Sequence, residues 1–192
     1  MNPIEFKNGA LSDLRVLELG TLLAGPFCGQ LLGDMGAEVI KIEPPNQGDP
    51  MRVWGRQKQG DPSLWWPVIA RNKKAITLDL RQAEGQELLK QLVTKADFLL
   101  ENFRPGTLEK WGLGYEALSA INPRLIMIRV SGYGQTGPYS HQAGFGAIGE
   151  AMGGLRYVVG DPGTPPSRMG ISIGDSLAAT FASVGALSAL HY

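Results

Sequence analysis

Five short apolar runs recur along this chain: RVLELG (15–20), EVIKIE (38–43), AITLDL (75–80), DFLLEN (97–102) and RLIMIRVSG (124–132). Runs of this length, bounded by turn-forming or charged residues, read as buried strands. The segments between them carry helical patterns. AGPFCGQLLGDMGA (24–37) places Pro26 in a first helical turn, an apolar stripe at Leu31, Leu32 and Met35, and Gly36 at the C-terminal cap. QAEGQELLKQLVTKA (82–96) sets Leu88, Leu89, Leu92, Val93 and Ala96 on one face, and GYEALSAIN (114–122) reads as a short helix. Residues 15–43 therefore form a β-α-β unit, stopped by Pro44-Pro45. Residues 44–70, with Trp54, Trp65 and Trp66, are expected to be irregular. The alternation specifies an α/β fold: a Rossmann-like open sheet, mostly parallel, with right-handed crossovers.

A chain of 192 residues can bury one full core. Its 18 basic residues balance 18 acidic ones, with no basic run, so a nucleic-acid partner has no electrostatic footprint. The start, MNPIEFKNGALSDLRV, lacks the basic-then-apolar pattern of a signal peptide. Cys28 has no partner for an internal disulfide, which fits a reducing compartment, most simply the cytoplasm. The segment Ser176–Tyr192 has no Asp, Glu, Lys or Arg and is rich in Ala, Ser and Gly. It is expected to be a buried core helix rather than a membrane span.

Two histidines and one cysteine offer no metal constellation. The sequence lacks a G-x-S-x-G elbow and a Walker-type phosphate loop, and the glycines of LGTLLAGPFCG are not at G-x-G-x-x-G spacing. In open parallel sheets, ligands bind beyond the carboxyl ends of the strands. IEPP, LDLR, ENFRPG and SGYGQTGP all fall there. Lys73, Lys74, Arg81, Arg104 and Lys110 lie near strand ends and suit a multi-phosphate anion. For Lys73 and Lys74 a solvated surface is an equal reading. Asn102-Phe103-Arg104 supplies an amide, an aromatic face and a cation, the parts a purine nucleotide needs. Asp175 is the last acid of the chain, in RMGISIGDSLAATF (168–181). It can cap a helix, do chemistry, or both.

Taken in order, VLELGTLLAGPFCGQLLGDMGAEVIKIEPPNQGD, RNKKAITLDL, ADFLLENFRPGTLEKWGLGYEAL, NPRLIMIRVSGYGQTGP and GISIGDSLAA resemble the class III CoA-transferases, the CaiB/BaiF or formyl-CoA transferase family. The resemblance runs from about Leu11 to the end. Members of that family run to roughly twice this length. It implies that residues 1–192 are the N-terminal part of the large domain, with the small domain, return segment and glycine-rich loop lying beyond residue 192. It implies a covalent mechanism on Asp175, through an acyl-aspartyl anhydride and an aspartyl-CoA thioester. It places Leu78, Asp79, Leu80 and Arg81 around adenine, with Asn102, Phe103 and Arg104 continuing that pocket and Lys110 approaching a phosphate. Leu23 and Ala24 would lie near the thioester, and Phe145 would face the acyl region. No cofactor would be permanently bound, coenzyme A thioester being a substrate. The intact protein would be an interlocked homodimer, and this piece alone is not expected to turn over.

Two departures narrow the expectation. Leu23 stands where formyl-CoA transferase has a glutamine tied to its small oxalate and formyl substrates, which disfavours an oxalate enzyme. Phe145 stands where the related α-methylacyl-CoA racemases carry a proton-transferring histidine. His141, four residues away, is a poor substitute. The expected activity is transfer of CoA from an acyl-CoA, such as succinyl-CoA, to a carboxylic acid. A racemase-like isomerase and a non-catalytic CoA-binding piece are the alternatives.

Overall fold

The computed structural model describes residues 9–55 and 63–192. Strands β1 (Arg15–Glu18), β2 (Glu38–Glu43), β3 (Lys73–Thr77), β4 (Phe98–Glu101) and β5 (Ile126–Arg129) form one sheet in the order β3-β2-β1-β4-β5. Every neighbouring pair is parallel. The helices are α1 (Ala24–Asp34), α2 (Trp65–Ile69), α3 (Ala83–Val93), α4 (Thr107–Lys110), α5 (Tyr115–Ile121), α6 (Gly146–Met152) and α7 (Ile173–His191). All five expected strands and the three read helices are present, with ends shifted by at most three residues. β3 starts two residues before the expected Ala75 and ends at Thr77. The region read as irregular holds α2 and a 3₁₀ turn at Pro50–Arg52.

Strand alternation sorts the core into two layers. Val16, Val39, Phe98, Leu100 and Ile128 pack with Cys28 and Leu32 of α1 and Ala179 and Ala186 of α7. Leu17, Leu19, Ile42 and Leu99 pack on the other face with Leu89 and Val93 of α3, Leu108 of α4 and Leu118 of α5. α1 stops at Asp34, and Gly36, read as its terminating glycine, lies just past the C-cap Met35 with a φ of +107° that suits glycine. A side chain there would lie 2.7 Å from the Gly9 Cα.

The last helix departs from expectation. The sequence of α7 predicts a buried core helix. It packs on α1 through a narrow stripe of small residues, Ala179, Ser183 and Ala186, while Leu177, Phe181 and Val184 are exposed. Small side chains permit close approach along one line, and a helix apolar all round then leaves its remaining faces uncovered within this chain. Among the described residues α7 alone is long and apolar enough to cross a membrane.

Candidate active site

Buried charges shape the loop that leaves β1. Glu18, Lys41 and Asp49 are all but inaccessible. Lys41 Nζ donates to Glu18 Oε1 at 3.0 Å and to the Gly20 carbonyl at 2.8 Å, and lies 2.8 Å from Asp49 Oδ2. Lys73 Nζ donates to the Pro26 carbonyl at 2.6 Å and lies 2.8 Å from Glu18 Oε2. Burial alone would push the Lys41 pKa down, but Glu18 and Asp49 outweigh it and hold it raised. Burial wins at Lys73, whose pKa is lowered. Lys73 therefore belongs to the interior and is withdrawn as a phosphate ligand. Lys74 is exposed and paired with Glu38 at 2.6 Å.

This lattice fixes residues 20–23. Leu22 has φ +64°, a left-handed conformation costing a non-glycine residue about 1–3 kcal/mol. Its N–H donates to Asp49 Oδ1 at 3.0 Å. Asn102 brackets the neighbouring peptide: Oδ1 accepts from the Thr21 N–H at 2.8 Å and Nδ2 donates to the Thr21 carbonyl at 2.9 Å. Asn102, read as a nucleotide ligand, thus spends its amide on the β1 loop. That loop leads into Leu23, the residue flanking α1, and buried Ala24 at its first position.

A cavity of about 200 Å³ opens over the carboxyl ends of β1 to β4. Leu78, Asp79, Leu80, Arg81 and Phe103 line it, joined by Leu19, Ile42 and Trp111. Phe103 meets Trp111 edge to face at 5.6 Å between centroids. The wall is mostly apolar, with one charged pair at the mouth, where Arg81 Nε donates to Asp79 Oδ1 at 2.9 Å. Arg104 and Lys110, both exposed, follow β4 and stand outside the cavity lining. Five of the expected CoA contacts are therefore gathered in one hollow. Leu23, Ala24, Asn102, Arg104, Lys110 and Phe145 are not part of its wall.

Asp175 belongs to a second cluster, where α6 meets α7. It lies in the first turn of α7, three residues after the N-cap position Ser172. Among the described residues it caps no helix N–H, so the capping role is not what this side chain does. Gly146, the first residue of α6, lies against it: a β-carbon at Gly146 would sit 2.8 Å from Asp175 Oδ2. Gly174 makes the same approach to the Gly146 carbonyl, at 3.0 Å. Phe145 immediately precedes that contact, with its ring exposed. Asp175 is half-buried, and burial raises its pKa above the usual aspartate range; the positive charge of Arg168 lowers it and the negative charge of Glu150 raises it.

Sequence reasoning missed those two neighbours. Glu150 is 3 % exposed, and neither of its carboxylate oxygens has a hydrogen-bond partner among the described residues. Arg168 reaches toward it, with Nε 3.8 Å from Glu150 Oε1. Two signals were available. Glu150 follows Gly146 by one helical turn, and Arg168 is the only Lys or Arg after Arg156.

The CoA-transferase family III model matches residues 11–192. The chain is 71 % identical over 181 residues to a succinyl-CoA–D-citramalate CoA-transferase of Chloroflexus aurantiacus, covering 94 % of this chain and 45 % of that protein. It is 51 % identical over 184 residues to the alpha subunit of a succinyl-CoA–L-malate CoA-transferase of Chloroflexus aurantiacus, covering 95 % and 43 %. The crystal structure of a CAIB/BAIF family protein from Brucella suis superposes with a TM-score of 0.90 at 41 % identity, covering 96 % of this chain and 50 % of that one. The chain thus spans about half the length of the curated relatives it matches.

Proposed function

The chain belongs to CoA-transferase family III, and from that premise we propose that the intact protein moves coenzyme A from succinyl-CoA to a dicarboxylic acid on the carboxylate of Asp175. The observation that carries the proposal is the environment of that carboxylate. It is half-buried, its pKa is raised by burial, and it faces the bare backbone of Gly146. A carboxylate with little solvation is a stronger nucleophile than one in water. The first turn of α7 places positive partial charge beside it, which favours the anion.

One oxygen of Asp175 attacks the thioester carbonyl carbon, and the C–S bond breaks as CoA leaves as the thiolate. The product is a mixed anhydride of Asp175 and the acyl group. The thiolate then attacks the aspartyl carbonyl, releasing the donor's acid and leaving an aspartyl-CoA thioester. The acceptor carboxylate attacks that thioester, thiolate leaves again, and its attack on the acceptor's carbonyl frees Asp175. No step needs a proton donor, in keeping with a site whose aromatic neighbour, Phe145, has no proton to move. The cavity lined by Leu78, Asp79, Leu80, Arg81 and Phe103 takes the adenine, and exposed Arg104 and Lys110 take phosphates. The acceptor class comes from the relatives, whose names give D-citramalate and L-malate, both 2-hydroxy dicarboxylic acids. We assign this action to a homodimer in the cytoplasm.

The test is covalent trapping in the intact protein. With succinyl-CoA and hydroxylamine, mass spectrometry is expected to find Asp175 as its hydroxamate. Asp175→Ala is expected to lower CoA transfer at least about a thousandfold. Transfer in wild-type protein should fail on acidification through a value above the ordinary aspartate range. Sustained transfer by Asp175→Ala would end this reading, and α-proton exchange without CoA transfer would favour an isomerase.

A further inference from the structure

Glu150 has no role in the chemistry above. A carboxylate at 3 % exposure with both oxygens without a hydrogen bond among the described residues is costly, and its one ion pair among them is with Arg168, 3.8 Å away and half exposed. Among the described residues Arg168 makes no hydrogen bond to protein, so Glu150 holds it by charge alone and the side chain stays half exposed. Both charges act on Asp175.

We propose that Arg168 receives the free carboxylate of a dicarboxylic substrate at the Asp175 centre, and that Glu150 positions it there. The proposal rests on the reading of Asp175 as the reacting group. A succinyl group bound at Asp175 carries its second carboxylate two carbons from the reacting carbonyl, within reach of a neighbouring side chain. A guanidinium binds a carboxylate through paired N–H groups, and the pair of terminal nitrogens on Arg168 is the free one. Glu150 serves two purposes. It reduces the freedom that a long side chain must lose on binding. It also draws Arg168 away from Asp175, where an ion pair would quench the nucleophile. The donor's succinyl group and the acceptor acid present the same chemistry, so one arginine serves both halves of the exchange.

The test separates this proposal from the mechanism by reading binding alone. In the intact protein carrying Asp175→Asn, dissociation constants for succinyl-CoA and butyryl-CoA are measured by calorimetry. The expected preference for succinyl-CoA should shrink by about 10- to 100-fold in Arg168→Met and in Arg168→Gln. Two replacements guard against one that misfolds. Arg168→Lys should keep part of the preference, and Glu150→Gln should lose less of it than Arg168→Met. The same order is expected for citramalate against a monocarboxylic acid of similar size, scored by KM in protein with Asp175 intact. A succinyl preference that survives both Arg168 replacements overturns the proposal, as does a larger loss from Glu150→Gln. A failed trapping test brings down the mechanism on which the proposal rests, whereas a succinyl preference indifferent to Arg168 brings down the subsite alone.

Discussion

The contact between Gly146 and Asp175 shows how little room the candidate site leaves. A methyl group at position 146 would come within 2.8 Å of the carboxylate oxygen, and the carboxylate is the atom group free to move. Gly146→Ala is therefore expected to fold normally and lower kcat by about 100-fold, since a displacement near 1 Å can cost that much. Succinyl-CoA affinity should change far less. Equal losses in kcat and affinity would mean that the glycine serves binding, not the aim of Asp175. Asp175 itself was legible because it stands alone in a long uncharged stretch within a recognisable motif. Arg168 and Glu150 were not, because an arginine in a Gly/Pro-rich loop and a glutamate in a short helix look like ordinary surface residues. Only folding buries Glu150 and makes its missing partners informative.

Among the elements, β1, β2 and β3 each place a charged side chain under α1. The sequence reads Lys73 as a cation facing solvent or phosphate, while Glu18 and Lys41 merely fall within apolar strand runs. The parallel register instead brings them together: Glu18 pairs across from Lys41, and Lys73 from Val39. α1 then seals them in, with Gly29 so close that a side chain there would overlap Glu18. Removing one member leaves opposite charges buried without compensation. Lys41→Met is expected to destabilise the fold by about 3–5 kcal/mol, read from urea unfolding. It should also free the Gly20–Leu23 loop, whose Leu22 conformation depends on Asp49. A loss below 1 kcal/mol, about the worth of an exposed ion pair, would show that water reaches the cluster.

At the scale of the whole molecule, two classes of carboxylate oppose each other. Hydrogen bonds from Arg71 hold Asp34 below the usual range, and Lys74 and Arg15 do the same for Glu38. Arg81 lowers Asp79 and Arg129 lowers Glu109. Burial pushes Glu43 up, but Arg52 and the Asp49 N–H outweigh it. Each of these stabilises the fold fully above its unfolded titration and loses that contribution as pH falls through its folded value. Glu101 and Asp175, raised by burial, act in reverse, since their charged forms oppose folding at neutral pH and are relieved on acidification. The urea midpoint is expected to hold from neutral pH to the ordinary carboxylate range and fall below it. Salt should blunt that fall, because most of the pairs are exposed. A midpoint that kept rising through acid pH would mean that burial, not pairing, dominates the titration. The sequence by itself determined the strands, most helices and the parallel sheet, because backbone periodicity is local and a run buried on both faces must be apolar. It also marked residues 78–81 and Phe103, which line one hollow, because loops after parallel strands share one edge. Only the tertiary structure decided that Lys73 is interior, that Asn102 clamps the β1 loop, that α7 is covered along one line alone, and that Glu150 and Arg168 flank Asp175. Each of these depends on which distant segments meet, and charge acquires its meaning from the solvent that such a meeting excludes.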